Sequence, residues 1–279
     1  MRTKAVWFLA STMVLLGGAA IALRADISPA DQQTLKSQYA GKVLMFRKSC
    51  RLLQKLDVNT DGTVEGDHKP GYWAVDGAVQ VKTVEFHKDR ITFKCAKLWA
   101  DIKNDGGLHY FPASAALKDK AGYPAEAEIA FRTNGKDDSL EQLRQRINRI
   151  FFGDQESKLS GTPPAIVAYI QKATVEIDID PISGLGFSGT PPKVVSRPAP
   201  EVTREAALVG QVGKESFVVY VDPEGKGSVV SFTRLLQYGL EEATIDAVKN
   251  WRFEPAMKDG KPVGIRIPMD IDYKKPLGQ

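Results

Sequence analysis

The sequence predicts an α+β protein in two parts, a mainly antiparallel β domain with flanking helices followed by a small α+β domain. Three observations lead there. The chain has 279 residues, 43% hydrophobic and 26% charged, a globular composition on a length that exceeds one ordinary core. Between residues 41 and 101 apolar and polar side chains alternate in runs divided by turn residues, the signature of half-buried strands. A Pro/Gly/Ser-rich stretch at 181–200 then separates a last third that carries three more strand patterns and one strongly amphipathic helix. The expected boundaries are 1–25 for an export signal, 26–180 for the β-rich domain, 181–200 for the connection and 201–275 for the C-terminal domain.

At the N-terminus, Arg2 and Lys4 precede an uncharged apolar run that ends at Leu23, which directs export. Ala20 and Ala22 stand in the register of a cleavage site, and Ala25 offers a second one. The run is also close to the ~20 residues of a bilayer span. Two outcomes therefore stay open, a periplasmic protein released by cleavage after Ala22 or Ala25 and one anchored to the inner membrane by an uncleaved helix. Export places Cys50 and Cys95 in an oxidising compartment, where a pair of cysteines permits a disulfide between them.

After the signal, Ser28 and Pro29 supply an N-cap and a first-turn proline for a short helix ending near Gly41. The segments GKVLMFRKSC, VDGAVQVKTVEFHKD and RITFKCAKLWA then read as strands of an antiparallel sheet or small barrel, with NTDG, DG and HKD as turns. EAEIAFRT is a further strand. In DDSLEQLRQRINRIFF, Leu140, Leu143, Ile147, Ile150 and Phe151 share one helical face, which leaves Arg144, Arg146 and Arg149 for solvent. PPAIVAYIQKA is a second helical piece.

In the C-terminal part, FVVYV and GSVVSFTRLL are strands joined by the turn DPEGKG. In LEEATIDAVKNW, Leu240, Ala243, Ala247, Val248 and Trp251 form an apolar stripe, and Glu241 and Glu242 suit the positive end of the helix dipole. Pro255 stops the helix and DGKP turns the chain. A last strand at 263–273 sets Ile265, Ile267, Met269, Ile271 and Tyr273 on one face and Arg266, Pro268, Asp270 and Asp272 on the other.

The segments PAPEVTREA, FVVYVDPEGKGSVVSF and GLEEATIDAVKNWRFEPAMKDGKPVGIRIPMDIDY together resemble the TonB C-terminal domain in order and spacing, over about residues 186–274. AVKNWRFEPAMKDGKPV, a helix that ends in Trp251 and runs into Phe253 and Pro255, is the most specific part. The resemblance implies a unit ordered helix, strand, strand, helix, strand that binds periplasmic partners by taking a short extended segment beside its last strand. The partner would be an outer-membrane transporter or another envelope protein, inner-membrane motor proteins would stand behind it, and Ile265, Arg266, Ile267, Met269, Asp270 and Ile271 would form the binding strand. Pro268 departs from an uninterrupted ladder, because it has no N–H. The apolar run also lacks the His of such transducers, and the spacer is short. Those departures keep an alternative open, a scaffold for an envelope protein or cell-wall component with no motor. Residues 35–179 resemble, more weakly, a domain of unknown role that accompanies this module in exported bacterial proteins, through GKVLMFR and GYWAVDGAVQVKTVEF.

No catalytic residue, metal ligand or cofactor is expected. Asp57, Asn59, Asp61 and Gly62 imitate an EF-hand start, but the twelfth position is His68 where Glu is needed. His68, His87 and His109 lack zinc-ligand spacing, Asp137 and Asp138 suit a helix cap, and GLGFSG lacks the strand and helix of a nucleotide loop. The 38 basic and 34 acidic residues are dispersed, which points away from nucleic acid.

Overall fold

The computed structural model describes residues 27–103, 107–117, 122–153, 159–171 and 187–274. The export segment, its cleavage sites and residues 181–186 of the connection lie outside the described residues. The first part contains α1 (Pro29–Tyr39), β1 (Val43–Met45), β2 (Lys55–Val58), α2 (Trp73–Asp76), β3 (Ala78–Phe86), β4 (Arg90–Ile102), β5 (Leu108–Pro112), α3 (Ala113–Leu117), β6 (Glu126–Arg132), α4 (Leu140–Ile150) and α5 (Pro164–Ile170). Its sheet runs β1-β3-β4-β6-β2, with β5 beside β4. The pairing is antiparallel as expected except for β2 with β6, which are parallel.

The 13 residues of β4 organise this part. Its first half, Arg90 to Ala96, pairs with β6, and its second half, Leu98 to Ile102, pairs with β5. Ile91, Phe93 and Cys95 belong to a core built with Leu35 and Tyr39 of α1 and Leu143 and Ile147 of α4. Both helices are capped as their sequences require. Ser28 accepts from the Asp31 N–H, and Ser139 with Gln142 forms a capping box.

Two expectations change here. Arg146 is buried, and its guanidinium grips both oxygens of Asp138 at 3.0 and 3.1 Å. The helix cap is Ser139, so Asp138 serves as that partner instead, and a charge expected in water sits in the core because it is paired and hydrogen-bonded. Cys50 and Cys95 are free thiols, so the expected disulfide is absent. Cys95 is pinned between Val81 and Ala127 by ladders on both sides. Cys50 is tied to Pro70 by a β-bridge, and each sulfur leans on a nearby carbonyl at 3.7 Å instead of on the other.

The second part contains β7 (Lys193–Ser196), α6 (Arg204–Val209), β8 (Gly213–Val221), β9 (Gly227–Arg234), α7 (Leu240–Lys249), β10 (Arg252–Glu254), β11 (Ala256–Lys258), β12 (Lys261–Val263) and β13 (Ile265–Tyr273). Its main sheet is β13-β8-β9. Gly225, at φ 76°, makes the β8–β9 turn and lies so close to the Phe253 carbonyl that a Cβ would sit 2.1 Å from it; no other residue fits. The described end of the Pro/Gly/Ser-rich stretch does not run free. Thr190 exchanges two backbone hydrogen bonds with Met257, and β7 pairs with β10.

The two parts share a core. Trp99, Ala100 and Ile102 at the far end of β4 join Trp73 and Val75 of α2, Ile166 of α5, and Phe217, Val219, Leu240, Val248 and Trp251 of the second part in one apolar cluster. Tyr238 packs edge-on against Trp99 at 5.6 Å, α5 lies against β9, and the Gln237 amide both donates to and accepts from the Ile102 backbone.

Candidate strand-pairing edge

β13 pairs with β8 from Ile265↔Val221 to Tyr273↔Gly213, and no strand among the described residues pairs with its other side. The alternation of the sequence decides which atoms face where. Ile265, Ile271 and Tyr273 are buried, and Ile267 and Met269 pack against the shared core. Four of the six candidate partner-binding residues, Ile265, Ile267, Met269 and Ile271, therefore spend their side chains inward. Arg266 and Asp270 take the opposite face, with Pro268 and Asp272.

The backbone groups follow the same parity. The carbonyl of Asp270 accepts from the Arg197 guanidinium, so it points away from β8. The residues in step with Asp270, namely Arg266, Pro268 and Asp272, likewise direct their N–H and C=O to the outer edge, while the odd-numbered residues bond to β8. The missing N–H of Pro268 thus costs the β13–β8 ladder nothing and leaves its gap on the outer row, where proline is tolerated.

Arg197 comes from the connection, and it is well anchored. Its guanidinium lies 4.7 Å from the centre of the Trp251 ring, and the carbonyl of the next residue, Pro198, accepts from the Trp251 indole N–H at 2.9 Å. Beside it, hydrogen bonds from Ser216 and Lys214 hold the Asp270 carboxyl below its usual range, and Lys214 is 3.2 Å away. No pattern in the sequence singled out Arg197, because its partners lie 73 residues away on β13 and in the core at Trp251.

Behind the edge, three carboxyl groups are buried. Glu242 accepts from the backbone N–H groups of Trp73 and Ala74 and so caps α2 from the other part of the chain. Burial pushes it up to about 8, against the pull of those two N–H groups. Burial also raises Glu241, which accepts from the Gln237 N–H. Glu215 points inward from β8 and accepts from Thr244. Burial, then the charge of Glu241, lifts it to about 8. The helix-dipole argument placed Glu241 and Glu242 at the start of α7 without revealing that another part of the chain covers them. Among the described residues, no three His, Cys, Asp or Glu side chains converge to hold a metal, and no helix is long and apolar enough to cross a membrane.

Residues 198–274 match the sequence family described as Gram-negative bacterial TonB protein C-terminal. Among solved structures, the solution NMR structure of the Pseudomonas aeruginosa TonB C-terminal domain aligns at 20% identity, over 34% of this chain and 95% of that one, with a TM-score of 0.26. No curated protein matches the chain. The segment that supplies α6, the β13-β8-β9 sheet and α7 is a member of the TonB C-terminal domain family.

Proposed function

We propose that this protein is an exported, non-catalytic binding protein of the periplasm whose C-terminal module takes up an extended segment of an outer-membrane transporter beside β13, contributing to energy-coupled transport. The observation that carries the reading is the outer edge of β13, a nine-residue strand paired, among the described residues, on one side only. Strand addition gives affinity through backbone hydrogen bonds and leaves selectivity to the side chains around the edge. Residues 26–180 act in this reading as a domain that carries the module, and inner-membrane motor proteins are the source of energy.

A second reading is favoured by the shared core. A module held by Trp99, Ile102 and α5 suits a scaffold that presents one face to an envelope protein or cell-wall component without motor coupling. Titration of the full chain with peptides from co-occurring outer-membrane receptors, followed by backbone amide shifts, tests the first reading. Shifts at residues 265–273 are expected. Shifts confined to other strands, or to the first part, reject β13 as the docking edge.

A further inference from the structure

A guest strand laid along β13 needs an N–H and a C=O from every second host residue. On the outer row those residues are Arg266, Pro268, Asp270 and Asp272. Pro268 offers only its carbonyl. The carbonyl of Asp270 is already taken by Arg197. The middle of the edge is therefore half closed, and full pairing is open only at Arg266 and Asp272, near its two ends.

The closure at Asp270 differs in kind from the one at Pro268, because Arg197 can be displaced. It is held on both sides, by its stack on Trp251 and by the Pro198 carbonyl on the indole N–H, so a guanidinium pushed off the carbonyl stays beside the edge. A neutral guest that takes the Asp270 carbonyl returns that charge to water and gains only the exchange of one donor for another. A guest with a carboxylate gains more, since the fork of Arg197 then closes on it in a charge-assisted pair. The acidic side chains of the edge do not stand in the way. Asp270 is paired with Lys214 and lies with Asp272 on the outer face. Guest side chains at the positions next to the one facing Asp270 fall on the opposite face, the side of Trp251 and Phe217.

Resting on the docking-edge reading, we propose that Arg197 is both the plug and the selector of this edge: it resists neutral extended segments and admits those that carry a carboxylate beside the residue facing Asp270.

The experiment uses the full chain, its Arg197→Ala and Arg197→Lys variants, and short synthetic peptides of alternating Val and Thr in which one Glu, or one Gln, is moved along the sequence. Binding is read from the amide shifts of β13, with the dispersion of the remaining amide signals confirming that each variant is folded. The neutral peptide is expected to bind Arg197→Ala roughly 3- to 10-fold more tightly than the unmodified protein. The best Glu peptide should exceed its Gln counterpart by a similar factor on the unmodified protein, less on Arg197→Lys and not at all on Arg197→Ala. Equal affinity of the neutral peptide for both proteins at β13, or a Glu preference that survives in Arg197→Ala, overturns the proposal while leaving the docking edge intact. If no peptide moves the β13 amides in any variant, the docking edge itself is wrong and the plug falls with it. Should Arg197→Ala not fold, Arg197→Lys decides the matter: a weakened Glu over Gln discrimination there supports the proposal, and an undiminished one overturns it.

Discussion

The two ends of β4 are one strand in two different environments. At Ile91, Phe93 and Cys95 it is enclosed by α1 and α4, elements of its own part of the chain. At Trp99, Ala100 and Ile102 it is enclosed by Phe111 and Tyr123 of its own part and also by residues from α6 onward, Gln237 and Tyr238 among them. Between the two ends, Lys97 is buried against Asp76 of α2 at 3.0 Å. The family boundary near residue 198 is therefore a boundary of sequence and not of packing. A recognisable module can owe part of its core to a partner in the same chain.

Truncation at either end of β4 tests this most strongly. Phe93 and Trp99 are fully buried, and replacing either with Ala is expected to cost ~3–5 kcal/mol. Their reach should differ. In hydrogen exchange, Phe93→Ala should weaken α1, β3 and α4, whereas Trp99→Ala should also weaken β8 and β13. Identical patterns for both would erase the distinction between the two cores.

The two regions should also respond oppositely to pH. Glu215 and Glu242 sit near 8 in the folded protein against an ordinary value of 4.5. Between those values the folded state keeps protons that the unfolded chain has lost, so stability falls as pH rises, by up to ~1.4 kcal/mol per unit for each group. Asp138 behaves in reverse. Burial, the largest single influence, pushes it up, but the hydrogen bonds and charge of Arg146 together with hydrogen bonds from Asn134 outweigh burial and hold it below 3.8. Its contribution is present above 3.8 and is lost as pH falls through the folded value. Urea unfolding from pH 5 to 8.5 should show the decline, and Glu242→Gln should flatten it.

The amide of Gln237 is a smaller test of the same seam. Its two hydrogen bonds to Ile102 are each worth ~1 kcal/mol, so Gln237→Ala should speed exchange at Ile102 with little effect around Phe93. The slightest effect is a count. Thiol labelling of the unfolded, unreduced protein should find two cysteines per chain. In the folded protein Cys95, which burial pushes up to about 12, should resist the reagent.

The elements that were legible in the sequence owe it to periodicity. β3, β4, β6, β8, β9, α4, α7 and β13 all carry a run long enough to display a period of 2 or 3.6. The four-residue α2 and β7 are too short to show one. α2 also depends on Glu242, 168 and 169 residues along the chain, to satisfy its first N–H groups. The edge was legible through the alternation of β13, and Pro268 pointed to its outer row. Arg197 was not, since its position depends on how β7 and Trp251 meet. For Arg146 the pattern pointed the wrong way. Helical spacing placed it away from the apolar stripe, while the structure turns its guanidinium back to Asp138 and to the carbonyls of Thr60 and Arg132.

The shared cluster also sets an order in time. A chain made from its N-terminus completes the sheet around Phe93 once α4 has appeared, because every strand of that sheet lies before residue 133. Phe111 and Tyr123 already flank Trp99, but Trp73, Val75, Trp99 and Ile102 must then wait for the last third of the chain to complete their cover. A segment from residue 27 to 171 released alone would carry that half-covered apolar surface into water, the condition under which partly finished proteins associate with one another. The C-terminal segment is thus the lid that ends the wait, and premature termination before β8 should give insoluble protein.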